Sequence, residues 1–373
     1  MKATLIKIWK NILALSVGLI IAFVLVELIL RIFQPFDFRV KGSEIVLAAN
    51  QDFVMANDFI PKLDDTIFHS KNSLGFRGEE PPKDWENATT MITVGGSTTE
   101  CYYLSDAQTW QAEINRRLSP TLPNFWINNA GLDGHSTFGH GVLMRDYIVK
   151  LKPDYVLFLV GINDVATADF ESFDRLAMKK INTQSIGGFA KSLANYSETI
   201  GLAFNFYRFY VAYKQGLIHS NIEIKKLKTV EITEAKRTEI FQKHETEFIE
   251  NYKIRLNNLI KICVDNDIQP VLITQPQIIG DTIDATTGVD LSQIKYQEGM
   301  NGSTGWAVLE LYNNITRQVA KNQDIQLIDL AKKLPKDSQY FYDFTHYTNE
   351  GAAKVGRIIS EELSISKLQN REK

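Results

Sequence analysis

The chain has 373 residues and a formal net charge of -3, from 41 basic and 44 acidic side chains. Hydrophobic residues make up 44% and charged residues 23%, which is typical of one large or two modest globular domains. The sequence pI is near 6.1, so no basic face dominates and nucleic acid is not an expected partner.

An apolar segment near the N-terminus is the first predicted element. Residues 12–30 contain only two polar side chains, Ser16 and Glu27. As a helix they would span about 28 Å, close to the hydrocarbon thickness of a bilayer. A cleaved signal peptide needs small residues at a cleavage site directly after its core, and this sequence continues as RIFQP. We therefore expect an uncleaved membrane anchor over residues 1–35.

The charges that flank this segment differ little between its two sides. The basic residues are Lys2, Lys7 and Lys10 before it, and Arg31, Arg39 and Lys41 after it. The free N-terminus and neutralisation of Arg31 by Glu27 at i,i+4 spacing favour a cytoplasmic N-terminus. This orientation predicts a single pass through the inner membrane, with the remaining chain on the periplasmic side. Glu27 has two interpretations, an interfacial partner of Arg31 or a partner for a polar group on another membrane protein.

Alternating strands and helices follow a mixed segment. Residues 36–88 show no strong period and are predicted to wrap onto a domain. Short apolar strands are predicted at residues 90–94, 125–128, 155–160, 270–274 and 325–329. Helical spacing follows the first strand through Trp110, Ile114 and Leu118, and Thr348 can cap a helix after the last. This alternation predicts a parallel sheet covered on both faces, with ligands beyond the carboxyl ends of its strands.

One connection is far longer than a crossover requires. About a hundred residues separate Asp164 from Pro270, and one crossover needs about a dozen. Residues 248–263 account for the crossover helix, and residues 166–245 are an insertion with an aromatic block at 204–213. The block is too short to span a bilayer, so we expect it to bury against the domain, the anchor helix or the lipid interface. We expect the insertion to cap the active site and face the membrane; a peripheral hairpin on the far side of the domain is the alternative.

Polar residues follow three of the predicted strands and precede the last helix. Two glycines, Gly95 and Gly96, permit a sharp turn that places Ser97 at a helix start, which suits a nucleophile or a plain N-cap. The segments 128–136 and 160–164 bring backbone N–H groups and a side-chain amide to the same edge, as an oxyanion hole requires. Asp343, three residues before His346, can orient an imidazole that takes the serine proton.

Other chemistries have little support in the sequence. Neither GxxxxGK[ST] nor GxGxxG occurs, so no phosphate loop is expected. His135 and His140 are five residues apart, which is the wrong step for two ligands on one helix face, and no HExxH occurs. The two cysteines, Cys101 and Cys263, are too few for a disulfide scaffold, and two isolated buried thiols are favoured over a pair.

These four segments, in this order, resemble the SGNH hydrolases, a branch of the GDSL-type esterase and lipase superfamily. The resemblance covers a hydrolase domain at residues 89–365, apart from the insertion, and leaves a C-terminal tail at 366–373. It implies a flavodoxin-like three-layer α/β/α fold with a five-stranded parallel sheet and no metal or organic cofactor. The site residues that it implies are the catalytic Ser97, Asp343 and His346 and the oxyanion-hole donors Ser97, Gly134 and Asn163. GGSTT stands where the family more often has GDSL.

A subset of that family resembles this chain more closely. Its members combine an N-terminal anchor ending in Glu-x-x-x-Arg, here Glu27 and Arg31, with an Asn-x-x-Gly-Phe-Arg-Gly segment, here residues 72–78. They resemble membrane-anchored bacterial envelope enzymes that act on esters of surface polysaccharides. The resemblance implies a serine esterase for O-acyl esters of envelope carbohydrate, with O-acetyl as the favoured group.

Three other functions remain open on the same residues: a polysaccharide O-acyltransferase using the same triad, a lipid esterase, and a non-catalytic membrane-tethered scaffold. The intact triad speaks against the scaffold. The expected partners are the membrane, an acylated carbohydrate or lipid-linked substrate, and a membrane-bound acyltransferase.

Overall fold

The computed structural model describes residues 2–33, 40–41, 44–173, 193–214, 219–297 and 299–363. Contacts divide the chain into two units. The smaller comprises Met1–Ala48 and Lys180–Ile218, and the larger comprises Ala49–Lys179 and His219–Lys373. The predicted tail at 366–373 lies outside the described residues, as do parts of the predicted linker and insertion.

A five-stranded parallel sheet forms the centre of the larger unit. Its strands are β1 (Thr89–Gly95), β2 (Phe125–Asn129), β3 (Tyr155–Leu159), β4 (Gln269–Ile273) and β5 (Gln326–Ile328). They pair in the order β2-β1-β3-β4-β5, the flavodoxin-like order. All five predicted strands are confirmed, each within one residue at either end. Nearly all of their side chains are buried, as expected for a sheet covered on both faces.

The described α-helices of four residues or more belong to both units. They are α1 (Lys2–Phe33), α2 (Ser97–Glu100), α3 (Trp110–Leu118), α4 (Thr137–Leu143), α5 (Glu198–Lys214), α6 (Glu234–Glu247), α7 (Ile249–Val264), α8 (Gly302–Asn322), α9 (Leu330–Lys333) and α10 (Asn349–Glu362). A π-helical turn at Met144–Ile148 and a short helix at Val149–Leu151 extend α4. The predicted crossover helix at 248–263 is confirmed as α7, shifted by one residue.

The helices cover the sheet on both faces. The chain moves in one direction across the sheet from β1 to β2 and in the other direction from β2 to β5. Because such crossovers are right-handed, α3 lies on one face of the sheet and α4, α7 and α8 lie on the other face. In agreement, α10 packs on α3, and α7 packs on α4 and α8. Thr348 caps α10 by accepting a hydrogen bond from the N–H of Gly351 at 3.1 Å, as predicted. The fold is the expected three-layer α/β/α arrangement.

The segment before β1 contains structure that the sequence did not indicate. Gln51–Ala56 pairs with Thr66–Lys71 as an antiparallel hairpin, and the buried Arg77 follows it. The Arg77 guanidinium donates to the carbonyls of Glu100, Cys101 and Leu104 and to the carboxylate of Asp106. Since those four residues end or follow α2, Arg77 fastens the chain directly behind Ser97. A second small hairpin pairs Lys295–Gln297 with Met300–Asn301.

In the smaller unit, α1 is long and apolar enough over Thr4–Phe33 to cross a membrane, and most of its side chains are exposed. Helix α5, from the predicted insertion, packs against it. Glu27 pairs with Arg31 at 2.8 Å, the first of its two interpretations, and also binds the start of α5. The polar group that meets Glu27 therefore belongs to the same chain. Val40–Lys41 and Glu44–Ile45 form a short hairpin in this unit.

Candidate active site

Ser97 lies at the carboxyl end of β1, where the chain turns directly into α2. The N–H groups of Thr99 and Glu100 donate to the carbonyl of Gly96, which begins the helical turn. The N–H of Ser97 belongs to the first turn, whose N–H groups have no acceptor within the helix. Gly96 is required by close approach, because a Cβ there would overlap the side-chain amide of Asn163. The glycine pair thus brings nucleophile and amide together.

Ser97, His346 and Asp343 form a continuous hydrogen-bonded chain. The Nε2 of His346 lies 2.7 Å from Oγ of Ser97, and its Nδ1 lies 2.6 Å from Oδ2 of Asp343. The other oxygen of Asp343 accepts from the backbone N–H groups of Thr345 (2.8 Å) and His346 (2.7 Å). One carboxylate oxygen therefore shapes the loop, and the other orients the imidazole.

The electrostatics of Asp343 suit this arrangement. Burial works against its ionised form, but the charge and hydrogen bonds of His346, with the N–H of Thr345, hold its pKa below the ordinary carboxyl value. Asp343 is therefore a carboxylate at neutral pH. It can stabilise the imidazolium that forms when His346 takes the serine proton.

Asn163 and Gly134 follow the two strands that flank β1. The Nδ2 of Asn163 donates to the carbonyl of His135 at 3.0 Å, and an amide nitrogen carries a second hydrogen for another acceptor. Gly134 has φ +76°, a left-handed conformation that glycine adopts without strain, within a turn closed by the N–H of His135 and the carbonyl of Leu132. The structure therefore places every predicted site residue at the same edge of the sheet.

The Asn163 turn is tied to the layer of helices behind it. The next residue, Asp164, is buried and pairs with the buried Arg255 of α7 at 3.0 Å. Its carboxylate also accepts from the hydroxyl and the backbone N–H of Thr137. Burial raises the pKa of Asp164, against the charge of Arg255. Losing one member of this pair would leave an uncompensated charge in the core, so the pair holds the turn firmly in place.

His219 is a site residue that sequence reasoning missed. Its ring centroid lies 4.0 Å from that of His346. Its Nδ1 is 2.6 Å from the hydroxyl of Tyr342, and its Nε2 is 3.3 Å from the Asp133 carboxylate. Burial opposes ionisation of His219, but the hydrogen bond to Asp133 and its charge raise the pKa above the ordinary histidine value. His219 lies in no motif; its position just after the aromatic block was the one available signal.

One group of potential metal ligands occurs within the described ranges. Nitrogen and carboxylate atoms of His219, Asp343 and His346 lie within 4.8 Å of one another. Each histidine nitrogen already has a partner, because His346 binds Ser97 and Asp343 while His219 binds Tyr342 and Asp133. A metal ion could bind these atoms only by displacing those hydrogen bonds. His140 is buried, which lowers its pKa to about 3.

A small cavity adjoins Ser97 and His346. Its volume is about 10 Å³, room for about one water or methyl group. Its walls include Cys101, Leu104, Tyr342 and Tyr347, and all four are buried. Cys101 and Cys263 are both free thiols, which confirms the prediction of two isolated buried cysteines.

No protein-family model and no curated protein sequence matches this chain. Solved structures similar to it include Axe2, an acetylxylan esterase from Geobacillus stearothermophilus, at 14% identity and a TM-score of 0.41 over 74% of this chain and 94% of that chain. An alpha/beta hydrolase enzyme from the metagenome of Lake Arreo, Spain, has 14% identity and a TM-score of 0.42 over 74% and 96%. A candidate lipolytic protein of the G-D-S-L family from Desulfitobacterium hafniense has 14% identity and a TM-score of 0.39 over 74% and 99%. Similarity of this size leaves the reaction to be inferred from the side chains of the site.

Proposed function

We propose that the protein is a serine esterase that cleaves O-acyl esters through an acyl-serine intermediate. The observation that carries this proposal is the hydrogen-bonded chain from Ser97 through His346 to Asp343, with distances of 2.7 and 2.6 Å. Both distances lie within the range in which a base takes a proton from a nucleophile.

The first half of the reaction forms the acyl-enzyme. The Oγ of Ser97 attacks the ester carbonyl carbon while Nε2 of His346 takes the hydroxyl proton. The oxyanion accepts hydrogen bonds from the N–H groups of Ser97 and Gly134 and from the side-chain amide of Asn163. His346 then gives its proton to the leaving alkoxide, and the carbon–oxygen bond of the substrate breaks.

The second half releases the acid. His346 takes a proton from a water molecule whose oxygen attacks the acyl carbon. The bond between the acyl carbon and Oγ of Ser97 then breaks, and His346 gives its proton to Oγ, which restores the serine hydroxyl and releases the acid. Asp343 stays ionised throughout and stabilises the imidazolium in both halves. The same acyl-enzyme serves transfer if a sugar hydroxyl replaces water, so the acceptor alone separates esterase from O-acyltransferase.

The substrate that we propose is an O-acetyl ester of envelope carbohydrate. The cavity of about 10 Å³ beside Ser97 supports a short acyl group, because each further methylene would need space that buried side chains occupy. The exposed apolar surface of α1 supports anchoring in the inner membrane, and the flanking charges support a periplasmic catalytic unit. The membrane and a membrane-bound acyltransferase remain the proposed partners, with an acylated carbohydrate or lipid-linked substrate.

A labelling and chain-length experiment tests the proposal. We expect a fluorophosphonate probe to label the full-length protein and the exposed-serine control Ser73→Ala, but not Ser97→Ala. On 4-nitrophenyl esters, kcat/KM should be highest for acetate and fall from propionate to butyrate to octanoate. Equal rates on octanoate would indicate a lipid esterase, and acyl transfer to an added sugar in preference to water would indicate a transferase. Absence of labelling together with absence of turnover would support the non-catalytic scaffold.

A further inference from the structure

Residues 12–30 contain one ionisable side chain, Glu27, and its carboxylate is engaged by the start of α5. It accepts hydrogen bonds from the backbone N–H groups of Glu198 (2.9 Å) and Thr199 (3.0 Å). The hydroxyls of Ser197 (2.8 Å) and Thr199 (2.9 Å) also donate to it. The first N–H groups of a helix have no partner within it, and the helix dipole favours an anion there. Glu27 is therefore the N-terminal cap of α5, supplied from a distant part of the chain.

Arg31 completes this junction one turn further along α1. Its Nε donates to Glu27 at 2.8 Å, and its guanidinium also donates to the carbonyl of Tyr196, just before α5. Charged groups at membrane depth are tolerated where they are paired with one another and with backbone groups. Both charges of the Glu-x-x-x-Arg pair thus serve to hold α5 beside the end of the apolar stretch.

The outward face of α5 is aromatic. Phe206, Phe209, Tyr210 and Tyr213 recur at three- and four-residue steps, and Tyr207 borders them. All five side chains are between 56% and 65% exposed. Elsewhere among the described residues, large exposed apolar side chains beyond α1 lie scattered, without such a stripe. An exposed aromatic face of this kind marks a site of interaction with another protein or with a membrane.

The chemistry of α5 favours the lipid–water interface over the bilayer core. The helix is about 26 Å long, slightly shorter than the hydrocarbon layer, and it carries Asn205 and Arg208 in its middle. Tyrosine combines an apolar ring with a hydroxyl that stays hydrated, which suits the depth of the headgroups. Arg208 and Lys214 add positive charge that anionic headgroups attract.

We propose that α5 is an interfacial membrane helix, whose aromatic face lies in the lipid headgroup region and whose first turn is fastened to α1 by Glu27. The occupant of the aromatic face is thus the bilayer surface next to the point where α1 leaves it. This inference rests on the proposed membrane attachment of α1, and it adds a second, parallel contact with the lipid.

Three exposed alanines allow a matched test in the full-length protein. They are Ala22 in α1, Ala203 in line with the aromatic stripe of α5, and Ala235 in α6 of the larger unit. Each is changed singly to cysteine and labelled with an environment-sensitive fluorophore. The native thiols remain unlabelled, because burial raises the pKa of both Cys101 and Cys263 to about 12. The labelled proteins are placed in nanodiscs of phosphatidylethanolamine and phosphatidylglycerol that contain shallow or deep doxyl lipids, or are exposed to aqueous iodide.

We expect deep doxyl groups to quench the label at Ala22→Cys, shallow ones to quench it at Ala203→Cys, and iodide alone to quench it at Ala235→Cys. If the label at Ala22→Cys escapes lipid quenching, the membrane attachment itself is refuted. If that label is quenched while the Ala203→Cys label responds only to iodide, α5 lies in water and the inference is overturned. Shielding of the Ala203→Cys label from both quenchers would show that protein covers the face, which also overturns the inference.

A second variant tests the fastening. In the Ala203→Cys background, Glu27→Ala should remove most of the shallow quenching, since the first turn of α5 loses its cap. Ser16→Ala, the other polar residue of the segment, is the control and should leave quenching unchanged. Unchanged quenching in Glu27→Ala would refute the role of Glu27.

Discussion

Two carboxylates, one in each unit of the molecule, both accept hydrogen bonds from two backbone N–H groups and from a nitrogen-containing side chain. Asp343, at the catalytic edge, accepts from two backbone N–H groups and from the His346 imidazole. Glu27, in the smaller unit, accepts from two backbone N–H groups, two hydroxyls and the Arg31 guanidinium. The difference lies in the side-chain donor, since an imidazole nitrogen can accept a proton from a neighbouring hydroxyl and a guanidinium cannot.

The surroundings of the two carboxylates differ as well. In the larger unit, the ring of His346 lies against those of His219 and the buried Tyr342, while Asp343 and His346 are themselves partly exposed. The smaller unit instead exposes apolar and aromatic side chains on α1 and α5. The polar residues around His346 therefore adjoin buried aromatic rings, whereas Glu27 adjoins an exposed apolar surface.

The largest expected effect is a loss of turnover when the proposed nucleophile or base is removed. Ser97→Ala or His346→Ala should lower kcat by about 10⁴-fold or more, leaving only the contribution of the oxyanion hole and of binding. Steady-state kinetics on 4-nitrophenyl acetate measures this, with circular dichroism to show that the fold is intact. A folded Ser97→Ala protein with wild-type turnover would contradict the assignment of the nucleophile.

The oxyanion hole should contribute less than the nucleophile. Asn163→Ala is expected to lower kcat by about 10²–10³-fold with little change in KM, because the amide binds the oxyanion more tightly than the carbonyl from which it forms. Asn266→Ala, at an exposed asparagine, is the control. A rise confined to KM would assign Asn163 to substrate binding.

The charge of Asp343 should also contribute to the free energy of unfolding. Its pKa is lowered in the folded chain, so its ionised form stabilises the fold at pH values above the unfolded pKa, and that contribution is lost as pH falls through the folded pKa. At neutral pH, Asp343→Asn should lower the free energy of unfolding by about 1.5–3 kcal/mol, as expected for hydrogen bonds to a charged group. Thermal unfolding as a function of pH measures the difference, which should shrink toward acid. A difference independent of pH would show that the lost interaction is not ionic.

His219 should have a smaller effect on turnover, because its ring contacts that of His346 but takes no part in the proposed proton transfers. His219→Phe should lower kcat about tenfold, equivalent to about 1.4 kcal/mol, since the ring of His346 loses a neighbour held by Tyr342 and Asp133. His219→Gln keeps an amide that can bind both partners, so part of the loss should be recovered. If both variants kept the wild-type kcat and only KM rose, His219 would contact substrate instead of positioning the base.

The smallest expected effect is on the stability of the first turn of α5, where Glu27 binds. Glu27→Ala should destabilise the first turn of α5 by about 0.5–2 kcal/mol, the usual cost of losing an N-terminal cap, with esterase kcat unchanged. Hydrogen exchange of the Glu198 and Thr199 amides measures it, and Ser16→Ala serves as the control. Protection that is equal in both variants would show that these amides do not depend on Glu27.

Local patterns predicted most of the fold. The five strands, the crossover helix α7 and the Thr348 cap follow from spacing that can be read within a few residues. Parallel strands end at one edge, so the polar residues after them could be placed together before any contact was known. The hairpin of Gln51–Ala56 and Thr66–Lys71 was missed, since its outward and inward residues alternate without a marked hydrophobic pattern.

The sequence by itself determined which side chains could perform acyl chemistry and which segment could enter a membrane, because both depend on residue type and local period. Only the tertiary structure decided that Arg77 fastens the chain behind Ser97, that the ring of His219 lies against that of His346, and that Glu27 caps α5. Each of these contacts joins residues far apart in the chain. A buried polar group takes whichever partner the packing brings within hydrogen-bond distance, and no local periodicity records that choice.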